Sequence, residues 1–432
     1  MTNSSTGLRR PSVLLVIVDD LRPDLGAYGR EWARTPHIDA LSRRSVTFTN
    51  AHAAVANCNP SRAALLTGRT PHQTGVVDLF THVRDHIPDV VTLPQRFRRA
   101  GYLAVSHGKV FHQELDDVAS WSTQDEFADN MTCRGVRGPC AAGVGWQYNG
   151  YRLRHSPTAE WRAPLFERGA GTGRHTDEQI AARAVDAISA LTSPLQRRPW
   201  LLAVGFIRPH LPFIAPEPFW VAAERSPPPL PARTVPPANA SLLTGRSLQE
   251  GLTEIYGNYG QRLAERRRPR LSAGGGLGRK LAVGYSAAVS FVDSQVGRVV
   301  AALDASPAAG DEIAGDCDAL VALLGDHGWK LGELGGEWTL VQWVHEPLRC
   351  TRHRCSWPAG DYVAAWRSLR RAAPHDRCAR HADLFRGAPA TAHAIGAEPD
   401  AANLIRHYPA AARQPRGERV QALVPFAKLG RT

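Results

Sequence analysis

Val13-Leu14-Leu15-Val16-Ile17-Val18-Asp19-Asp20 decides the architecture of this chain. Six apolar residues without interruption have the length of a strand buried on both faces, and the run stops abruptly at two carboxylates. The same pattern returns three times. Residues 102–105 lead into His107, Lys109 and His112, residues 201–206 into Arg208-Pro209-His210, and residues 319–324 into Asp326-His327. Between these runs lie helical patterns at 93–100, 177–191 and 285–303. Strands alternating with helices predict an α/β fold with a mostly parallel central sheet covered by helices on both faces. Ligands of such sheets sit beyond the carboxyl ends of the strands, so residues as far apart as Asp19 and His327 are expected in one cleft.

The 432 residues are 43% apolar, enough for a large core, and 21% charged. Fifty-two basic against 40 acidic residues give a formal charge of +12, which favours an anionic partner. Residues 341–432 hold 15 basic and 7 acidic residues, so the remainder is close to balance. Nucleic-acid binding would therefore rest on the C-terminal region alone and is not expected. No apolar run approaches the about 18 residues of a membrane span. Arg9 and Arg10 precede residues 13–18, but that run is too short for a leader and no small-residue cleavage site follows. A cytoplasmic location is expected, with export left open. Seven cysteines do not make a disulfide scaffold, although Cys133 and Cys140 would close a local loop in an oxidising compartment. Residues 225–240, rich in proline, and 264–280, rich in arginine and glycine, are expected as surface loops.

One further segment carries chemistry: Cys58-Asn59-Pro60-Ser61-Arg62-Ala63-Ala64-Leu65-Leu66-Thr67-Gly68-Arg69. It has the form of a loop entering a helix, with Cys58 just before the helix start and Arg62 one turn on. Taken alone, it describes either a low-pKa cysteine or a buried structural thiol. The pattern C-x-P-S-R-x-x-x-L-T-G-R resembles the motif of the type I, formylglycine-dependent sulfatases, in which a separate enzyme converts the cysteine to formylglycine. Leu21-Arg22-Pro23 after Asp20, Gly108-Lys109-Val110-Phe111-His112, Thr132-Cys133-Arg134-Gly135, Arg208-Pro209-His210-Leu211-Pro212-Phe213 and residues 289–298 are similar to the iduronate-2-sulfatase branch and its bacterial relatives.

That resemblance implies an alkaline-phosphatase-like sandwich and a sulfuric ester hydrolase acting on a sulfated sugar acid or glycan. It implies Asp19, Asp20, Asp326 and His327 as ligands of one calcium ion, completed by an oxygen of modified Cys58. Carboxylate oxygens suit such a hard cation. Alone, Asp19-Asp20 is equally a strand end and Asp326-His327 a turn. The resemblance makes Cys58 the nucleophile, Arg62, Lys109 and His112 its supports, and His210 the sulfate contact and acid for the leaving oxygen. A phosphate or phosphonate ester hydrolase of the same superfamily is the alternative, and a catalytically impaired relative is the non-enzymatic one.

The likeness breaks after Gly332-Glu333, where the family pattern G-E-H-G-E-W-x-K carries a sulfate-binding lysine. Here Leu334 replaces the histidine, Gly336 is an insertion, and Leu340 stands at the lysine position. Losing that cation costs about 1.5–3 kcal/mol of charged hydrogen bonding. Residues 1–338 are therefore expected as the catalytic domain. Residues 339–432 are expected as a divergent, basic, incomplete region, derived from a shifted frame or a decayed end and lacking the family's following apolar strand. Cys350, His353, Cys355, Cys378 and His381 offer a rival zinc spacing there.

Overall fold

The computed structural model describes residues 10–48, 51–112, 115–122, 166–169, 175–211, 213–231, 276–306, 319–331, 333 and 364–368. Leu334, Leu340, Cys133, Cys140 and the Cys/His group between 350 and 381 lie outside them. In chain order come β1 (Ser12–Val18), α1 (Pro36–Arg43), β2 (Val46–Phe48), α2 (Cys58–Thr67), α3 (Pro71–Thr74), α4 (Val83–His86), α5 (Leu93–Arg99) and β3 (Leu103–Gly108). There follow β4 (Phe166–Gly169), α6 (Thr176–Leu191), β5 (Trp200–Phe206), β6 (Phe213–Pro216), α7 (Glu217–Arg225), α8 (Gly276–Asp304), β7 (Ala319–Gly325) and β8 (Ala364–Ser368).

Six strands form one sheet in the order β2-β8-β7-β1-β5-β3. The four predicted runs are β1, β3, β5 and β7, and they pair in parallel. Alternate residues of β1 serve opposite faces. Leu14, Val16 and Val18 join a core with Ile38 and Leu41 of α1, Ile180 and Ile188 of α6, and Val289 and Val292 of α8. Val13, Leu15 and Ile17 join a second core with Leu66 of α2, against which Leu93 and Phe97 of α5 pack. Burial on both faces explains why these strands are apolar without alternation.

Register places the functional edge. Val18 lies abreast of Phe206 and of Gly325, and Gly108 abreast of Gly205. The residues that follow all four strands therefore emerge side by side. Gly108 and Gly205 allow the close approach: a Cβ on Gly205 would lie 1.9 Å from the carbonyl oxygen of Lys109.

Two expectations are corrected. β3 begins at Leu103 and runs through His107 to Gly108, so His107 is a strand residue and not part of the loop that follows. Helix α8 begins at Gly276, inside the predicted loop at 264–280, and buries Leu281, Ala282 and Tyr285 while Arg279 and Lys280 stay exposed. Packing of that face outweighs the weak helix preference of its glycines. Beyond residue 340, β8 pairs antiparallel with β7, Ala322 opposite Trp366, and with β2, without being an apolar run.

Candidate active site

Helix α2 starts at Cys58, with Asn57 as an N-cap that makes no side-chain capping bond. Gly68 ends it in the left-handed conformation, φ 66°, with its N–H on the carbonyl of Ala64. Asn59 anchors its first turn by donating to the carbonyls of Asp78 and Thr81, both at 2.9 Å. The Ser61 hydroxyl donates to the carbonyl of Asp326 at 2.5 Å, which ties the helix to the end of β7.

Arg62 is fully buried and organises the edge. It donates to Asp326 Oδ2 at 2.9 Å, Asp19 Oδ1 at 2.8 Å, the carbonyl of Val110 at 3.0 Å and the carbonyl of Lys109. Lys109 Nζ reaches Asp19 Oδ2 at 2.5 Å. Asp326 Oδ1 accepts from the backbone N–H of Asp20 at 2.9 Å and of His327 at 2.8 Å. His327 Nδ1 bonds the carbonyl of Gly328, so its Nε2 faces inward, 3.2 Å from Cys58 Sγ and 3.3 Å from Asp20 Oδ1.

Asp19, Cys58, Asp326 and His327 each present one ligand atom, all within 4.8 Å of one another and all buried. Both carboxylate oxygens of Asp20 are buried without a hydrogen bond. A dry, unpartnered carboxylate beside two others, against only Arg62 and Lys109 as fixed cations, fits a hard divalent ion.

Electrostatics follow from this packing. Burial opposes ionisation of Asp19, but Lys109 and Arg62 outweigh it and hold its carboxyl well below the usual range. Burial pushes Asp20 well above that range, against the pull of His327, and raises Asp326 despite Arg62. Burial disfavours charge on His327, yet Asp326 and Asp20 raise it. Such a proton stands where a metal ion would displace it. The reading of Cys58 as a low-pKa thiol is corrected: burial, then Asp19, push it up. The positive charge of Arg62 is already engaged by two carboxylates.

His112 and His210 are both buried. Burial and the neighbouring Lys109 push His112 well below the ordinary histidine range, and His210 down to about 3. His210 Nδ1 meets the carbonyl of Leu211 at 2.6 Å. Every sequence-predicted site residue therefore lies at this sheet edge or on the segments leaving it. His107 does not join them; it shares the parity of Leu103 and Val105, which face the α6 and α8 core, and burial with Arg183 nearby takes it to about 4. Nothing in the sequence pattern singled out Tyr285 or Asp177, helix residues that touch the backbone of this edge.

Residues 11–388 match the protein-family model described as Sulfatase. The chain belongs to the sulfatase family. This match reaches beyond residue 338 and includes β8. Among curated sulfatases, iduronate 2-sulfatase of Homo sapiens is 32% identical over 347 residues, 76% of this chain and 56% of that protein. Choline-sulfatase of Rhizobium meliloti (strain 1021) is 27% identical over 339 residues, 76% of this chain and 59% of that one. The chain thus spans little more than half the length of these sulfatase relatives. The phosphonate monoester hydrolase of Agrobacterium radiobacter has the same fold, with TM-score 0.55 and 22% identity over 83% of this chain and 68% of that one. The fold is that of the sulfatases, an alkaline-phosphatase-like α/β sandwich.

Proposed function

We propose that this chain hydrolyses sulfate esters of a sugar acid or glycan, with Cys58 converted to formylglycine by a separate enzyme and one calcium ion held by Asp19, Asp20, Asp326 and His327. The observation that carries the reading is the buried cluster of Asp19, Asp326 and His327 around Cys58, locked by Arg62, with the Asp20 carboxylate 3.3 Å from His327. When present, hydrated formylglycine supplies a hydroxyl nucleophile able to release sulfate by regenerating its aldehyde, and the cation lowers that hydroxyl's pKa.

The chain's own groups have definite parts. Lys109 and Arg62 keep Asp19 ionised and offset two of the three carboxylate charges, so that with a bound dication the site would be net positive toward an anionic ester. His112 is neutral, the state a base requires for taking a proton from residue 58. His210 gives its Nδ1 proton to Leu211, so Nε2 carries the lone pair. It becomes the acid for the leaving oxygen by gaining a proton, which the negative charge of an incoming ester favours.

Parallel assays with aryl sulfate and aryl phosphate esters test the reading, together with the mass of the peptide containing residue 58. Sulfate turnover only in preparations carrying the aldehyde is the expected result. Preferred turnover of the phosphate ester would move the activity to the phosphate or phosphonate branch. The lysine position occupied by Leu340 favours a second reading, an impaired relative. Fully modified protein that binds calcium but turns over no sulfate ester would establish it.

A further inference from the structure

Asp20 is the only non-glycine with positive φ among the described residues, at 57°. Aspartate enters the left-handed conformation when its side chain bonds locally, but both carboxylate oxygens of Asp20 lack a hydrogen bond, so the conformation is held from outside. On the carbonyl side the support is one hydroxyl. Tyr285, fully buried on α8, donates to the carbonyl of Asp20 at 2.7 Å, and the same oxygen accepts the backbone N–H of Arg22 at 3.0 Å. The peptides on both sides of Leu21 are thereby pinned to a helix more than 260 positions away. From the other side, Asp326 accepts the N–H of Asp20 at 2.9 Å. The ring of Tyr285 packs edge-on against Phe213, with centroids 5.6 Å apart, so its position does not depend on the two hydrogen bonds alone.

We propose that Tyr285 is a positioning residue for the cation site: its hydroxyl holds the turn at Asp20 in the one backbone conformation that aims the unpartnered carboxylate at the other ligands. The inference rests on the calcium reading above. It places a determinant of metal affinity on α8, away from every strand-end motif. Groups that orient ligands from outside commonly govern metal affinity by about 10- to 100-fold.

The test compares the full chain with Tyr285→Phe, which keeps the ring and removes both hydrogen bonds. Thermal midpoints are measured in chelator and in graded calcium chloride, and calcium dissociation constants by calorimetry. The expected result is a dissociation constant about tenfold or more weaker and a smaller calcium-induced rise in midpoint. A calcium-induced rise and affinity equal to the parent's would overturn the proposal. Phe213→Leu separates positioning from general loosening, because it disturbs the packing but leaves the hydroxyl. It is expected to lower both midpoints and keep the calcium increment, and an increment reduced as much as in Tyr285→Phe would also overturn the proposal. A parent chain without any calcium response would overturn the calcium reading itself, and this inference with it.

Discussion

At the scale of single residues, Arg62 answers two carboxylates and two carbonyls at once with no exposure to water. Arg62→Met would leave Asp326 without its buried cation and Asp19 with Lys109 alone, and a loss of about 3–5 kcal/mol is expected in urea unfolding. Lysine cannot restore it, since one ammonium does not span both partners. Asp293 gives a pH prediction. Its carboxyl accepts from Ile38 N at 2.7 Å and His37 N at 3.2 Å, and burial raises it to about 7 against 3.8 for an exposed group. The folded state binds this proton more tightly, so its contribution is complete below pH 3.8 and is lost as pH rises through about 7. Asp293→Asn should flatten the decline of the unfolding midpoint between those values. Replacing Leu340 with lysine should speed sulfate-ester turnover about tenfold if a missing cation limits it, as steady-state kinetics would show. The strand-end residues were legible because polar chemistry followed directly on apolar runs. Tyr285 and Asp177 were not, because a polar residue in a helical pattern looks the same whether it faces water or a distant backbone. Asp177 in fact accepts the N–H groups of Ile207 and Arg208 just before His210.

Among elements, β3 and β5 depend on an approach that only hydrogen side chains permit. A methyl on Gly205 would meet backbone atoms of Lys109 and Val110, which cannot swing aside as a side-chain tip would. Gly205→Ala is expected to cost about 1–3 kcal/mol and to displace Lys109. A lowered thermal midpoint together with weakened ester turnover would be the sign; loss of stability alone would confine the effect to packing. The central strands announced themselves through length and apolarity. β8 did not: Ala-Ala-Trp-Arg-Ser offers neither an apolar run nor a clean alternation, and its place is set by pairing with β7 and β2. The start of α8 was hidden for the opposite reason, since glycine and arginine suggest a loop when the burial of Leu281 and Tyr285 is not visible.

For the molecule as a whole, β8 joins the edge strand β2 to β7 in a sheet whose middle carries the site. Ending the chain after residue 338 would leave the backbone of Leu320 to Leu323 on β7 without its partner. An unpaired apolar edge invites association, so the truncated protein is expected to be aggregated or insoluble in size-exclusion analysis. A monomeric, cooperatively folding 1–338 fragment would show that the later residues are dispensable. The seclusion of Cys58 has a consequence in time. Its side chain, 2% exposed, sits beneath a helix turn and between carboxylates, with its proton held by burial. No second protein can grasp that sulfur once β1 and β7 have met and α2 has docked. If Cys58 is the formylglycine precursor proposed above, oxidation to the aldehyde and closure of the sheet compete, and the oxidation has to come while the segment around residue 58 is still an open peptide. On that reading a chain that folds early keeps the thiol for as long as it stays folded, and specific activity would record the order of two events during synthesis.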